Sequence, residues 1–189
     1  MTEKIYLISL GCDKNLVDSE IMLGLLSREG YEITDELYEA DYAVVNTCCF
    51  IGDAKEESIN TIIEIGELKE EGKLKGLIVT GCLAQRYQSL ITDELPEADA
   101  VIGTTAYDKI VAAINEIKTK QKKDSKSLYI DDLERLAGGE EVRLVPAGEI
   151  SSYIKIAEGC NKRCTYCIIP YIRGNFRSIP METIIKEAE

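Results

Sequence analysis

Three of the seven cysteines occupy equivalent positions, each just after a predicted strand. They are Cys12, Cys48 and Cys82. In an open parallel sheet the carboxyl ends of all strands lie along one edge, where ligands bind, so thiols that are far apart in sequence can converge there. As thiolates they could hold a metal centre, or they could be buried thiols that pack as small apolar residues. Cys49 points away from its neighbour Cys48 in an extended backbone, and we therefore take it as a non-ligand.

A second group of cysteines lies in one predicted loop. Cys160, Cys164 and Cys167 form a C-x3-C-x2-C run directly after a strand. Three ligands are one fewer than a closed tetrahedral site requires, and an iron–sulfur cluster held in this way keeps one iron open to a substrate. The alternative is a zinc loop with its fourth ligand elsewhere. Lys162 and Arg163 could offset the thiolate charge or be ordinary solvated loop residues.

Composition excludes several kinds of chemistry. Histidine is absent, which removes the commonest general base, every Ser-His or Cys-His nucleophile pair, and every zinc site that needs imidazole. The net charge of -12, from 22 Lys+Arg against 34 Asp+Glu, repels a phosphate backbone. We therefore expect no direct nucleic-acid binding by this segment, and attraction to a basic partner.

The 189 residues, 45% of them apolar, suit one or two folded domains. No stretch approaches about 18 uncharged apolar residues, and the start lacks a signal-peptide core. We expect a cytoplasmic chain with no membrane contact. In that reducing compartment an odd number of cysteines indicates ligands, catalytic thiols or small buried residues, not disulfides.

Elements that would position these cysteines follow from the periodicity, since short β-branched runs alternate with amphipathic segments. The predicted strands are Ile5–Leu10, Tyr42–Asn46, Leu77–Thr80 and Ala100–Ile102, with a weaker one near Tyr31–Thr34. The predicted helices are Asp18–Arg28, Ala54–Lys69, Gln85–Leu95 and Ala106–Lys118. Right-handed crossovers then predict an α/β fold with a doubly wound parallel sheet of about five strands.

We divide the chain into three parts. Residues 1–118 form the sheet domain, and the polar, irregular stretch 119–149 is a linker. Residues 150–189 begin a second domain with a strand at Ser152–Ala157, and a helix starts at Pro180.

The loop cysteines carry a resemblance to a known family. Their spacing, with Tyr166 before the last cysteine, resembles the signature of the radical S-adenosylmethionine superfamily. Together with the strand-end cysteines, it makes the chain similar to the methylthiotransferases over nearly its whole length. The resemblance is close around the cysteines and loose in 119–149. The stretches 9–20 and 46–51 are similar to the branch that modifies ribosomal protein S-twelve. The transfer-RNA branch typically has Gln-Met-Asn, or a variant, where this chain has Asp13-Lys14-Asn15.

The resemblance implies two [4Fe-4S] clusters and S-adenosylmethionine as cofactors. One cluster would be held by Cys160, Cys164 and Cys167 and would bind S-adenosylmethionine, whose cleavage produces a radical that abstracts hydrogen from the β-carbon of an aspartate. The other, on Cys12, Cys48 and Cys82, would supply the sulfur. Tyr166 and Ile168 lie where the family contacts the adenine. The implied partners are ribosomal protein S-twelve and an electron donor protein.

Polar residues beside the strand-end cysteines have alternative interpretations. Asn15 and Asp18 are candidate caps of the first helix. Asn46 and Thr47 could donate hydrogen bonds to cluster sulfurs, or they could mark a turn.

Two other functions remain open. A transfer-RNA methylthiotransferase would use the same two clusters, and a non-catalytic iron- or zinc-binding redox module would use the same cysteines. A (β/α)₈ barrel takes at least about 200 residues, so we expect residues 150–189 to be only the truncated start of the family's TIM-type barrel. We also expect this chain to be an inactive fragment of the enzyme.

Overall fold

The structure is a computed structural model that describes residues 2–119, 126–135, 143–145 and 150–189. The strands are β1 (Lys4–Ser9), β2 (Glu32–Ile33), β3 (Tyr42–Thr47), β4 (Gly76–Gly81), β5 (Ala100–Ile102), β6 (Ser127–Tyr129), β7 (Ala157–Glu158) and β8 (Arg177–Ser178). The helices are α1 (Asp13–Arg28), α2 (Gly52–Glu70), α3 (Cys82–Tyr87), α4 (Ser89–Glu94), α5 (Ile110–Thr119), α6 (Ile169–Ile172) and α7 (Met181–Ala188). No helix of these ranges is long and apolar enough to cross a membrane.

Six parallel strands form one sheet in the order β2-β1-β3-β4-β5-β6. One apolar cluster covers one face of the sheet with residues of α2, α3 and α4, and a second covers the other face with residues of α1 and α5. The central strands β3 and β4 are buried throughout, as expected for a sheet with helices on both faces. The prediction of a doubly wound parallel α/β fold is confirmed.

The sixth strand lies in the stretch that the sequence assigned to the linker. Ser127–Tyr129 pairs with β5, and the Gly103 amide donates to the Tyr129 carbonyl at 2.8 Å. A strand of three residues beside a lysine-rich run carries too little alternation to be recognised. Parts of the predicted linker, 120–125, 136–142 and 146–149, lie outside the described residues. The domain boundaries stay a prediction.

Two helices differ from their predicted bounds. The first begins at Asp13, five residues before the predicted start. The predicted helix Gln85–Leu95 is two helices, α3 and α4, because Gln88 takes a left-handed conformation at φ 42°. A residue whose backbone takes that conformation cannot continue a right-handed helix.

The second part of the chain is built from a short antiparallel pair, β7 and β8, around α6, with α7 following Pro180 as predicted. The predicted strand Ser152–Ala157 is reduced to Ala157–Glu158. Tyr153, Ile154 and Ile156 are exposed. A strand is held by a hydrogen-bonded neighbour, and among the described residues only its last positions have one.

Candidate functional site

The three strand-end cysteines follow adjacent strands. Strand β3 lies between β1 and β4, and the register pairs Thr47 with Gly81 at the carboxyl ends. Cys12 precedes α1, Cys48 follows β3 directly, and Cys82 is the first residue of α3. The sheet order therefore places all three positions at one edge, as the sequence predicted for the strand ends.

Two glycines allow the strand ends to approach closely. Gly11 has φ 108°, and a Cβ there would lie 2.8 Å from the Cβ of Cys48. Gly81 has φ 92°, and a Cβ there would lie 2.6 Å from the Thr47 carbonyl oxygen and closer still to Asn46 Oδ1. Both positions require glycine because of the backbone conformation and the lack of space.

Substituting Gly81 tests this close approach. We expect Gly81→Ala to lower the free energy of unfolding by about 2–4 kcal/mol, because left-handed strain adds to a clash. The matched control is Gly30→Ala, where φ is 91° and nothing lies within 4 Å of the added Cβ. The control should lose only the strain energy, about 1–2 kcal/mol. Equal losses in urea unfolding of the two variants would contradict the close approach.

The buried carboxamide of Asn15 ties the strand ends together. Its Nδ2 donates to the carbonyl oxygens of Leu10 and Thr47, each at 2.9 Å. Its Oδ1 accepts from the Arg173 guanidinium at 2.6 Å and from the Cys82 thiol at 3.7 Å. The prediction that Asn15 and Asp18 cap α1 is wrong, since both lie inside a helix whose N-cap is Cys12.

The two polar side chains at the end of β3 form hydrogen bonds to other groups of the protein. Asn46 Nδ2 donates to the Asn15 carbonyl and to Ser19 Oγ, both at 2.8 Å. The Thr47 hydroxyl donates to the Thr80 carbonyl oxygen. These bonds fix the strand end and leave neither donor for a sulfur atom. Both residues belong to β3 itself, so they do not mark a turn either.

The four amino-terminal cysteines differ in their environments. Cys12 is exposed, whereas Cys48 and Cys82 are buried. Burial raises the pKa of Cys82 to about 12, so its thiol keeps its proton until a cation displaces it. Cys49 belongs to the apolar cluster of α2, α3 and α4, and burial raises its pKa too. Ser58 accepts a hydrogen bond from the Cys48 amide at 3.0 Å, which fixes the backbone there.

A buried ion-pair cluster joins α1 to the second part of the chain. Arg173 Nη1 lies 3.0 Å from both Asp18 Oδ2 and Glu158 Oε2. Lys155 also pairs with both carboxylates, and Lys14 lies 3.4 Å from Glu158. Burial would raise the pKa of Glu158, but the charges of Arg173 and Lys155 lower it to about 2. We call these five residues the interface charge cluster.

Sequence reasoning missed Arg173 and Lys155. Each is a single charge beside or within an apolar run, at Ile168–Arg173 and Tyr153–Ala157 respectively. A single charge in an apolar run was the sequence signal that could have indicated these residues, because a charged side chain in such a run is buried only when it has a partner. The partner itself could not be identified from the sequence.

The three loop cysteines lie at the surface. Cys160 and Cys167 are partly exposed and Cys164 is exposed. The Cys160 amide donates to the Gly174 carbonyl at 3.0 Å, and the Cys167 amide donates to the Cys164 carbonyl at 2.9 Å. These bonds fold the loop back on itself and against the segment after α6.

The two residues predicted to contact adenine lie in different environments. The ring of Tyr166 is 84% exposed and so is open to a stacking partner. Ile168 is partly buried and packs against the apolar cluster of α2, α3 and α4. Their assignment remains a prediction.

Both cysteine groups have the donor chemistry of an iron–sulfur site. Thiolates are the ligands that these clusters use, and Gly11 and Gly81 supply the close backbone approach described above. Within the described ranges no three Cys, Asp or Glu side chains already meet in a ready metal-binding arrangement. The residue types and their placement therefore fit a cluster, and ligation would require their side chains to turn toward a common centre.

The fold and the cysteines define a class: parallel α/β domains with thiols at one sheet edge, followed by a three-cysteine loop. A family model described as "Uncharacterized protein family UPF0004" matches residues 4–103, and the chain belongs to this family. The chain is 56% identical over 186 residues to the ribosomal protein uS12 methylthiotransferase RimO of Lachnoclostridium phytofermentans, with 98% of this chain and 41% of that protein covered.

Proteins of the same name from Acetivibrio thermocellus and Clostridioides difficile are 51% and 49% identical, over 100% and 98% of this chain and 42% and 41% of those proteins. The chain thus spans about two fifths of the length of these curated relatives. The family resemblance inferred from the cysteine motifs is confirmed.

Proposed function

We propose that the full-length protein attaches a methylthio group to the β-carbon of an aspartate in ribosomal protein S-twelve, by radical S-adenosylmethionine chemistry. The observation that carries this proposal is the pairing of two cysteine groups. The cysteines of the first group each follow one of three adjacent strands of the sheet. The cysteines of the second group lie in a separate loop, and the interface charge cluster joins this part of the chain to the sheet domain. The relatives named uS12 methylthiotransferase support it.

We assign one [4Fe-4S] cluster to Cys12, Cys48 and Cys82. A second belongs to the loop group, Cys160, Cys164 and Cys167. When bound, the two clusters supply the electron that cleaves S-adenosylmethionine and the sulfur that is transferred. Three thiolates at each centre leave one iron without a protein ligand.

The protein's own residues prepare these centres. Lys14 and Arg173 bring positive charge to the sheet edge, which offsets the charge of bound thiolates. Ser58 holds the backbone of Cys48. In the loop we assign the exposed Tyr166 ring to stacking on the adenine, with Ile168 beside it.

The proposed substrate agrees with the net charge of the chain. A chain of net charge -12 attracts a basic ribosomal protein more readily than a nucleic acid. The reaction also needs an electron donor protein, and its substrate places it in the cytoplasm.

The test is an assay of the full-length protein after anaerobic reconstitution with iron and sulfide. It is incubated with S-adenosylmethionine, dithionite and either purified ribosomal protein S-twelve or transfer RNA, and the products are analysed by mass spectrometry. We expect one methylthio group on an aspartate of the protein and none on the RNA. Modification of transfer RNA alone would overturn the proposal in favour of the other branch, and zinc in place of iron would favour a non-catalytic module.

A further inference from the structure

Arg173 has an unusual position for an arginine. Its side chain is 1% exposed, and such burial is costly unless every donor has a partner. One nitrogen, Nη1, serves both carboxylates, Asp18 and Glu158. The other, Nη2, is directed to the sheet edge, where it donates to Asn15 Oδ1 at 2.6 Å and lies 3.9 Å from Cys82 Sγ.

The interface charge cluster is not balanced by itself. Its described members are three cations, Lys14, Lys155 and Arg173, and two carboxylates, Asp18 and Glu158. The four buried members balance two to two, and the excess positive charge belongs to Lys14, whose side chain is 38% exposed. A thiolate, or an anionic group bound to thiolates, would offset this charge, and Arg173 Nη2 lies within reach of one of those sulfurs, that of Cys82, at 3.9 Å.

We propose that Arg173 is a positioning residue that directs its guanidinium at the Cys82 sulfur and thereby sets the reduction potential of the centre held by Cys12, Cys48 and Cys82. This inference rests on the proposed function. A fixed positive charge beside an iron–sulfur centre stabilises the reduced, more negative state, and hydrogen bonds to its sulfurs act in the same direction. Arg173 therefore raises the potential of this centre.

A purely structural role is the competing explanation, because Arg173 also ties α1 to the segment that follows α6. Gly174, the next residue, accepts the hydrogen bond from the Cys160 amide. Loss of stability or of overall activity would not distinguish the two roles. The reduction potential does distinguish the two roles, because loss of a purely structural contact does not change the potential in a defined direction.

The experiment measures that potential in the full-length protein. Cys160→Ala, Cys164→Ala and Cys167→Ala are combined so that only the strand-end centre gives a signal, and this parent is reconstituted with iron and sulfide. The centre is then titrated with dithionite and followed by electron paramagnetic resonance. We expect Arg173→Gln to lower the ratio of reduced to oxidised centre at a fixed potential at least about tenfold, which is about 59 mV for one electron. Arg173→Lys, which keeps the positive charge, should lower this ratio less.

Arg143 provides a matched control. It is a second shielded arginine that pairs with α1, through Glu20, and none of its described contacts is to a cysteine. Arg143→Gln should leave the ratio within about twofold of the parent. The inference is overturned if Arg173→Gln retains its iron and the parent's ratio.

If Arg173→Gln does not fold, Arg173→Gln with Asp18→Asn removes one charge of each sign and is compared with Asp18→Asn alone. The same tenfold decrease between these two is expected, and equal potentials overturn the inference. A parent that takes up no iron–sulfur centre would overturn the proposed function as well. Equal potentials in centres that do form would overturn only the role of Arg173.

Discussion

Cys48→Ala is expected to abolish methylthio transfer in the full-length protein, whereas Cys49→Ala is expected to leave most of it. Two [4Fe-4S] clusters correspond to about eight irons per chain, and loss of one ligand set removes about four. Changes in residues that merely support a metal ligand cost about 10–100-fold in affinity or activity, so loss of a ligand itself should cost at least about 100-fold. The measurements are iron content and product yield.

The neighbouring cysteine makes a demanding control. Cys49 has the same residue type and is also buried, but it packs against apolar residues of the core. Its replacement by alanine removes one sulfur atom from that core, and we expect a cost of about 1 kcal/mol with iron content unchanged. If Cys49→Ala loses the iron and Cys48→Ala keeps it, the ligand assignment is wrong.

A second measurement separates the two centres. Cleavage of S-adenosylmethionine to 5′-deoxyadenosine depends in our proposal on Cys160, Cys164 and Cys167. Cys48→Ala should therefore still form 5′-deoxyadenosine while it transfers no methylthio group. Loss of both activities together would indicate that the thiols do not form two separate centres.

Asp18→Ala is expected to lower the free energy of unfolding by about 3–5 kcal/mol. Asp18 is buried and pairs with two buried cations, Lys155 and Arg173, and within the described part of the chain these keep only Glu158 as a carboxylate partner after the substitution. Removing one member of a buried ion pair leaves an uncompensated charge in a medium of low dielectric constant, which accounts for a cost of this size. Urea unfolding monitored by circular dichroism measures it.

An exposed ion pair gives the comparison. Glu39 pairs with Lys4 at 2.7 Å, but its side chain is largely exposed. Solvent screens such pairs, so Glu39→Ala should leave the unfolding midpoint unchanged. A similarly small effect of Asp18→Ala would show that water reaches the interface charge cluster.

The sequence predicted the central part of the fold well because its evidence is local. Buried strands such as Tyr42–Thr47 begin with a continuous apolar run, and their ends are marked within a few residues by Asn, Thr, Gly and Cys. Once those strands are parallel, their carboxyl ends must share an edge. The placement of Cys12, Cys48 and Cys82 at one sheet edge therefore followed from short patterns, as did the family resemblance, whereas the adjacency of their strands came from the structure.

The short elements were harder to predict, for the same reason. Strand β6 has three residues and is held by pairing with β5, not by its own alternation. The break at Gln88 is a single left-handed residue in an otherwise helical pattern. In both cases the conformation is stabilised by neighbours in space.

Residue types and their spacing thus determined on their own that the chain is a doubly wound parallel α/β protein with two groups of thiols. Only the tertiary structure decided what surrounds those thiols. Arg173 and Asp18 are 155 positions apart, and no local pattern couples two such residues. A buried charge is tolerated only where opposite charges and hydrogen-bond acceptors meet it, and that meeting is a property of the packed chain.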